Sequence, residues 1–182
     1  MIILLAVVMA AMTGTAGAAV SPTPGTLGPQ DRNFLIQSHQ GNLAEIEAGR
    51  AVIEKVDEDG RKVGQAVRAL GEHLVDSHTE LDKTLQQVAR DLGVKLPDGP
   101  SPEQREQLAK VMALNGPEFD RAWISMEIEN HRQALTLVRK QIENGSDPRV
   151  TRLAITAEQI VREHLRMFRH ATESPSPGPS GD

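Results

Sequence analysis

Three histidines, His78, His131 and His164, are the residues best placed to do chemistry. Each lies on a stripe of otherwise apolar residues at helical spacing, near the middle of its own segment. At 1.5 Å per residue, helices of roughly 25–30 residues place the three side chains at one height of a bundle. Neutral imidazole is the commonest metal ligand in proteins. This histidine layer therefore predicts a zinc or copper site, while His73 and His170 are expected at the surface.

Two glutamates are candidate oxygen ligands for the same ion. Glu127 lies one turn before His131, and Glu45 falls at the same height on the first helix. The carboxylates predicted to support the layer by hydrogen bonding are Glu47, Asp76, Asp82 and Glu163. An alternative needs no ion, because histidines bonded to these carboxylates would fix the helix register or respond to pH. Half-buried histidines take that role more often than they bind metal, so both interpretations stay open here.

Other chemistries lack their motifs. A di-iron carboxylate centre needs Glu-x-x-His on two helices, but the residue three before each of these histidines is Val or Ile. No glycine-rich phosphate loop, zinc-protease motif or serine-hydrolase motif occurs. Because there is no cysteine, disulfides, thiol catalysis and Cys-ligated zinc are excluded. A redox or hydrolytic enzyme at the histidine layer is therefore the weakest hypothesis.

Four long helices and one short helix must position these side chains. Apolar residues recur at steps of three and four along each segment, and Asp147 and Pro148 suit the start of the last one. The predicted helices span 31–56, 61–92, 101–114, 117–144 and 147–171. Short turns at 57–60 and 145–147 give two antiparallel hairpins, and the connection 93–116 is long enough to cross the bundle. The sequence thus predicts an all-α, ferritin-like four-helix bundle with a short crossover helix.

The composition supports this fold and limits the partners. The 182 residues include 2% aromatic residues and no Tyr, which suits packed helices better than a β-sandwich. The net charge is −5, with 20 basic residues scattered among 25 acidic ones. Because no basic stripe with interleaved aromatic residues occurs, nucleic-acid binding is not expected.

The first residues have the form of a signal peptide. Residues 1–19 carry no charged side chain, and Ala16-Gly17-Ala18 has the small-x-small form of a cleavage site, although no Lys or Arg follows Met1. The predicted organisation is a signal peptide (1–18), a flexible spacer (19–30), a bundle domain (31–172) and a disordered tail (173–182). We therefore expect an exported protein, extracellular or periplasmic. The alternative is a chain anchored in a membrane by an uncleaved leader.

Several ordered segments resemble the bacterial DUF4142 family, which is part of the ferritin-like group. The segments are GNLAEIEAG (41–49), LVDSH (74–78), GVKLP (93–97) and FDRAW (119–123), followed by His131 and by His164-Leu165. Ser77 stands where the family has a second Asp, and Trp123 where it has Tyr. The resemblance covers residues 31–171 and implies an exported helical bundle without an established activity. The recurrent residues of the family map onto Glu45, Glu47, Asp76, His78, His131 and His164.

From these features we expect a non-enzymatic envelope or extracellular binding protein. Its outer helix faces would meet an unknown protein or a cell-envelope component, and membrane contact is expected only through an uncleaved leader. The alternative is a zinc- or copper-binding protein that uses the histidine layer, since no cofactor other than a transition-metal ion is implied. A large exposed apolar groove would favour the first hypothesis, and imidazole nitrogens about 3–4 Å apart the second.

Overall fold

Five α-helices make up the computed structural model, which describes residues 27–56, 60 and 62–173. They are α1 (Pro29–Glu54), α2 (Gln65–Asp91), α3 (Pro102–Met112), α4 (Gly116–Asn144) and α5 (Pro148–Glu173). The pair α1 and α2 and the pair α4 and α5 form hairpins that pack side by side. This confirms the predicted all-α bundle. Within the described ranges, none of the helices combines the length and the apolarity needed to cross a bilayer.

The connection between the two hairpins runs along the length of the bundle. Phe34 near the start of α1 packs in one core with Leu85 from the second half of α2. Phe119 at the start of α4 packs in the opposite core with Val67 from the start of α2. Because α2 and α4 therefore run in the same direction, residues 92–115, which include α3, carry the chain from one end to the other. This is the ferritin-like crossover that the sequence predicts.

A polar layer separates the two apolar cores. One core contains Phe34 and Val150, and the other contains Phe119, Trp123 and Phe168. The buried polar side chains between them are His39, Asn42, Glu45, His78, Asp82, Glu127, His131 and His164. The bundle therefore places its chemistry at mid-height, between an apolar core above and another below.

The inward face of α1 differs most from its prediction. Leu43 and Ile53, whose spacing along the first predicted helix indicates an inward position, are only half-buried, and Val56 lies beyond the end of α1 with 50% of its surface exposed. In their place α1 buries polar residues such as Asn42 and Glu45. A search for apolar periodicity misses this face because the polar layer interrupts it.

The ends of the helices follow their local signals closely. Asp147 caps α5 as predicted, with its Oδ1 accepting the backbone N–H of Arg149 at 2.8 Å, and Ser101 forms a capping box at the start of α3.

Leu27 packs against the core and α1 begins at Pro29, so the end of the predicted spacer (19–30) belongs to the bundle. The rest of that spacer, the predicted signal peptide and residues 57–59, 61 and 174–182 lie outside the described residues.

A pair of glycines sets the register of α1 against α2. A Cβ atom added to Gly49 would lie 2.6 Å from the backbone oxygen of Gly71, and one added to Gly71 would collide with Val52. Only glycine permits this close approach of the two backbones. The crossing fixes the height at which Asn42, two turns before Gly49, meets His78, two turns after Gly71.

Asp31 ties the start of α1 to the turn between α4 and α5. Its buried carboxylate accepts the backbone N–H groups of Ser146 at 3.1 Å and of Asp147 at 3.1 Å. The side chain of Gln141 also donates to it, at 2.5 Å. These bonds hold the two hairpins together at the end of the bundle opposite α3's C-terminus, and the sequence predicts only that Asp31 begins a helix.

Candidate metal centre

His78 from α2, His131 from α4 and His164 from α5 converge between the two cores. Their exposed fractions are 4%, 1% and 1%. One ring nitrogen of each lies within 4.8 Å of a ring nitrogen of each of the others, and the ring centroids are 5.0–5.7 Å apart. His131 Nε2 and His164 Nδ1 are 2.9 Å apart. Three helices thus contribute one imidazole each to a single buried cluster, which we refer to as the histidine triad.

Each imidazole of the triad is held by an oxygen on one ring nitrogen. The contacts are His78 Nδ1 to Asn42 Oδ1 (3.0 Å), His131 Nδ1 to the backbone oxygen of Glu127 (2.8 Å) and His164 Nε2 to Ser77 Oγ (3.1 Å). The remaining nitrogens are His78 Nε2, His131 Nε2 and His164 Nδ1. Histidines that bind metals typically have their second nitrogen oriented in this way by an oxygen.

The hydrogen-bond partners fix the protons on two of the rings. The backbone oxygen of Glu127 only accepts, so His131 Nδ1 carries a hydrogen and the neutral ring leaves Nε2 bare. Asn42 directs its amide N–H to Asp82 at 3.4 Å and its oxygen to His78, so His78 Nδ1 donates and its Nε2 is also bare. His78 Nε2 is buried without a hydrogen-bond partner among the described residues.

The neutral forms of His78 and His164 are favoured by their surroundings. Burial lowers the pKa of His78 well below its ordinary value, and the nearby rings of His131, His164 and His73 lower it further. Burial also lowers the pKa of His164 to about 3, with smaller contributions from His131 and His73. Neutral imidazoles keep the lone pairs that a metal ion needs.

Glu45 and Glu127 form a second group that shares only His131 with the triad. His131 Nδ1 is 3.9 Å from Glu45 Oε1 and 3.9 Å from Glu127 Oε2, whereas its Nε2 faces His164. The structure therefore does not place either glutamate with the three histidines as the predicted fourth ligand. Burial, followed by repulsion from the nearby Glu45 carboxylate, raises the pKa of Glu127 well above its ordinary value.

Among the predicted supporting carboxylates, Asp82 is the buried one, and it pairs with His39 instead of His78. Asp82 Oδ1 lies 2.7 Å from His39 Nδ1, and His39 Nε2 lies 3.1 Å from the backbone oxygen of Pro97. Gln86 donates to Asp82 Oδ2 at 2.7 Å. The other three predicted supporting residues are exposed because the helical repeat turns them outward; they are Glu47, Asp76 and Glu163.

The orienting roles of Asn42 and Ser77 were not predicted from the sequence. The signal for Asn42 is its position, three residues after His39 and four before Ile46, where an inward apolar residue is expected. Ser77 is the departure from the family pattern, and its hydroxyl replaces a carboxylate beside the triad. His73, expected at the surface, is half-buried with its ring centroid 5.2 Å from that of His164, whereas His170 is exposed as predicted.

Comparison with known proteins identifies the fold and the family. The solved structure described as the crystal structure of a DUF305 fragment from Deinococcus radiodurans matches with a TM-score of 0.69 and 17% sequence identity, covering 81% of this chain and 97% of that chain. At this identity the likeness concerns the fold alone. No curated protein matches the sequence. The profile of the domain of unknown function DUF4142 matches residues 16–171, and the chain therefore belongs to the DUF4142 family, as its ordered segments predict.

Proposed function

We propose that this protein binds one transition-metal ion, zinc or copper, through His78, His131 and His164. The observation that carries the proposal is the different bonding of the two nitrogens within each imidazole ring. One nitrogen of each ring is bonded to an oxygen, and the other faces the other rings, where His131 Nε2 and His164 Nδ1 share one hydrogen bond that an ion would replace and His78 Nε2 has no partner among the described residues. A layer that served only to fix helix register would have no need of the bare, unpartnered nitrogen of His78.

The distances between the imidazole nitrogens suit a site that rearranges slightly when it binds an ion. Nitrogens bound to one zinc ion at about 2.0–2.1 Å in tetrahedral geometry lie about 3.3–3.4 Å from each other. The facing nitrogens of His131 and His164 are 2.9 Å apart, and the whole triad lies within 4.8 Å. Binding therefore requires that the nitrogens of His131 and His164 separate by about 0.4–0.5 Å and that His78 approach by up to about 1.4 Å. Three imidazoles without a thiolate or thioether suit zinc(II) or copper(II).

Glu45 and Glu127 supply the negative charge that a buried cation needs. Three neutral imidazoles leave the full charge of a divalent ion in a site between two apolar cores, which is costly without compensation. Both carboxylates lie 3.9 Å from His131 Nδ1, on the far side of that ring. Metal binding and loss of the Glu127 proton are thus expected to occur together.

We infer from the signal-peptide form of residues 1–18 that the protein functions outside the cytoplasm. We also infer a binding role without enzymatic activity. An unknown protein or cell-envelope partner remains part of this proposal, with less support than the ion. Among the described residues, the large hydrophobic side chains that are exposed are Val56 and Ile155. Two separate side chains do not form the large apolar groove that would favour a partner-binding face.

Thermal melting with and without metal tests the proposed function. Zn²⁺ or Cu²⁺ at about 100 times its dissociation constant stabilises a folded protein by about 2.7 kcal/mol, or roughly 5–10 °C for a chain of this size. We expect this rise in the wild type, its reversal by a chelator, and its loss in His131→Ala. The matched control is His170→Ala, because His170 is exposed on α5. No shift in the wild type with either metal would leave a purely structural histidine layer.

A further inference from the structure

A cavity of about 420 Å³ leads from the surface to the triad between α1 and α4, beside the N-terminal turn of α3. Two of the three imidazoles, those of His78 and His131, line its inner end together with Glu45. The exposed side chains of Gln37 and Glu103 mark its mouth, and its walls combine aliphatic side chains with uncharged polar ones such as Gln40 and Gln104. An ion held by the triad therefore has an open route to small molecules from solvent.

Two unpartnered acceptors face the inner end of this cavity. His78 Nε2 and Glu45 Oε2 are both buried, and neither has a hydrogen-bond partner among the described residues. Buried acceptors without donors are uncommon in folded proteins and call for a bound ion, a water or a ligand group. The cavity therefore offers one position for an ion, at His78, and another for a hydrogen-bond donor, at Glu45.

The charges along the cavity favour an uncharged ligand over an anion. None of the residues that line it is Lys or Arg, and two of them are glutamates, Glu45 and Glu103. Anions are repelled by such a wall, whereas neutral molecules with an N–H or O–H group meet an acceptor at Glu45.

We propose that the fourth coordination position of the bound ion opens into this cavity and takes a small uncharged nitrogen or oxygen donor. The N–H or O–H group of that ligand would donate to Glu45 Oε2 while its lone pair binds the ion. Sites with three protein ligands commonly leave the fourth position to an exogenous molecule. This inference rests on the proposed function, because it needs an ion at the triad.

Gly41 provides a way to close the cavity without disturbing the triad. It lies on the wall of the cavity, and a Cβ atom added there meets no other atom within 4 Å. A leucine side chain at this position therefore extends into the cavity. Because Gly41 is inside α1 and leucine has a higher helix propensity than glycine, Gly41→Leu is expected to fold. Glu47→Leu, on the exposed face of the same helix, is the matched control.

The experiment is a titration of the copper-loaded protein with imidazole, followed by its visible and electron paramagnetic resonance spectra. We expect a saturable spectral change in the wild type and in Glu47→Leu, and none in Gly41→Leu. Glu45→Ala should weaken imidazole binding by about tenfold, since the hydrogen bond to the Glu45 side chain is lost. Azide, an anion of similar coordinating strength, should bind the wild type more weakly than imidazole does.

Two results would overturn the inference. One is an equal imidazole response in Gly41→Leu, and the other is tighter binding of azide than of imidazole to the wild type. Copper content measured in the same samples separates addition of a ligand from removal of the ion. If the wild type holds no copper before imidazole is added, the proposed function is wrong, and this inference fails with it. If the wild type holds copper but does not bind imidazole, only this inference is wrong.

Discussion

His39 and His78 are both buried between α1 and α2, but they differ in how completely their ring nitrogens are bonded. Both nitrogens of His39 face oxygens, Asp82 Oδ1 at 2.7 Å and the backbone oxygen of Pro97 at 3.1 Å. His78 has one partner, Asn42, and its Nε2 has none among the described residues. A fully bonded histidine holds structure together, whereas a partly bonded one is prepared for a ligand. Burial alone therefore does not distinguish a binding site from a structural polar cluster.

Substitution of Asp82 tests whether the fully bonded His39 stabilises the fold. It should have the largest effect on the free energy of unfolding. Asp82→Ala leaves His39, Asn42 and Gln86 without an acceptor in a buried place. Breaking a buried pair by removing one partner costs about 3–5 kcal/mol. We expect a loss of this size in the free energy of unfolding measured with urea. Asp76→Ala, at an exposed position of the same helix, should change it by less than about 0.5 kcal/mol; equal effects would refute the structural role.

Acid should destabilise the metal-free protein through the triad. The folded-state pKa of His164 is lowered to about 3 from an ordinary value of 6.5. Between these values the unfolded chain binds a proton that the folded chain does not, so stability falls as the pH falls from about 6.5 towards 3. The slope is at most about 1.4 kcal/mol per pH unit for one such histidine. Melting temperatures measured across this range should show a shallower slope in His164→Leu than in the wild type.

Glu127 contributes with the opposite sign, and Glu127→Gln separates the two effects. Its pKa is raised well above 4.5 in the folded protein. Above pH 4.5 the folded state therefore holds a proton that the unfolded chain has lost, and this part of the stability declines as the pH rises. Glu127→Gln should remove that decline and leave the acid slope of the triad in place. An unchanged pH profile in both variants would mean that neither group controls the acid response.

The fold could be predicted from the sequence because each helix carries its own signals. Helical spacing of apolar residues, the Asp147 cap and the long connection between the hairpins are local features that determine the bundle and its crossover. The three histidines could also be placed at one height, because helical rise converts position in a segment into depth. These inferences require no knowledge of how one side chain is turned relative to another.

The partners of the histidines could not be predicted, because they depend on the rotation of each helix about its axis. Asp82 was expected near His78 from its spacing along α2, but the packing of α1 brings His39 to it instead. Glu127 reaches His131 mainly through its backbone oxygen, on the side away from His164. A shift of one residue in register would exchange these partners, and the Gly49–Gly71 crossing that sets the register is visible only in the folded structure.

Substitution of Asn42 tests whether the partly bonded His78 belongs to a binding site, because it should change the affinity for metal. Its side-chain oxygen fixes the ring of His78 so that Nε2 is bare and available. Loss of an outer partner of a metal-binding histidine typically weakens affinity by about 10–100-fold. We expect Asn42→Ala to weaken Zn²⁺ binding by this factor in calorimetric or competition measurements. Gln87→Ala, which replaces an exposed amide side chain on α2, should leave the affinity unchanged, and the same result for Asn42→Ala would contradict the orienting role.

The smallest effect is expected for His164→Leu in the absence of metal. The substitution leaves His131 Nε2 without its partner, which costs about 1–3 kcal/mol, but a buried leucine recovers part of that loss through apolar contact. We expect a net destabilisation of about 1 kcal/mol in urea unfolding, well below that of Asp82→Ala, with His170→Leu as the exposed control on α5. If His164→Leu is instead neutral or stabilising, the bond between His131 and His164 adds nothing net to folding. The triad would then differ from the His39–Asp82 pair in kind, because its buried histidines would add nothing to folding and binding alone would account for them.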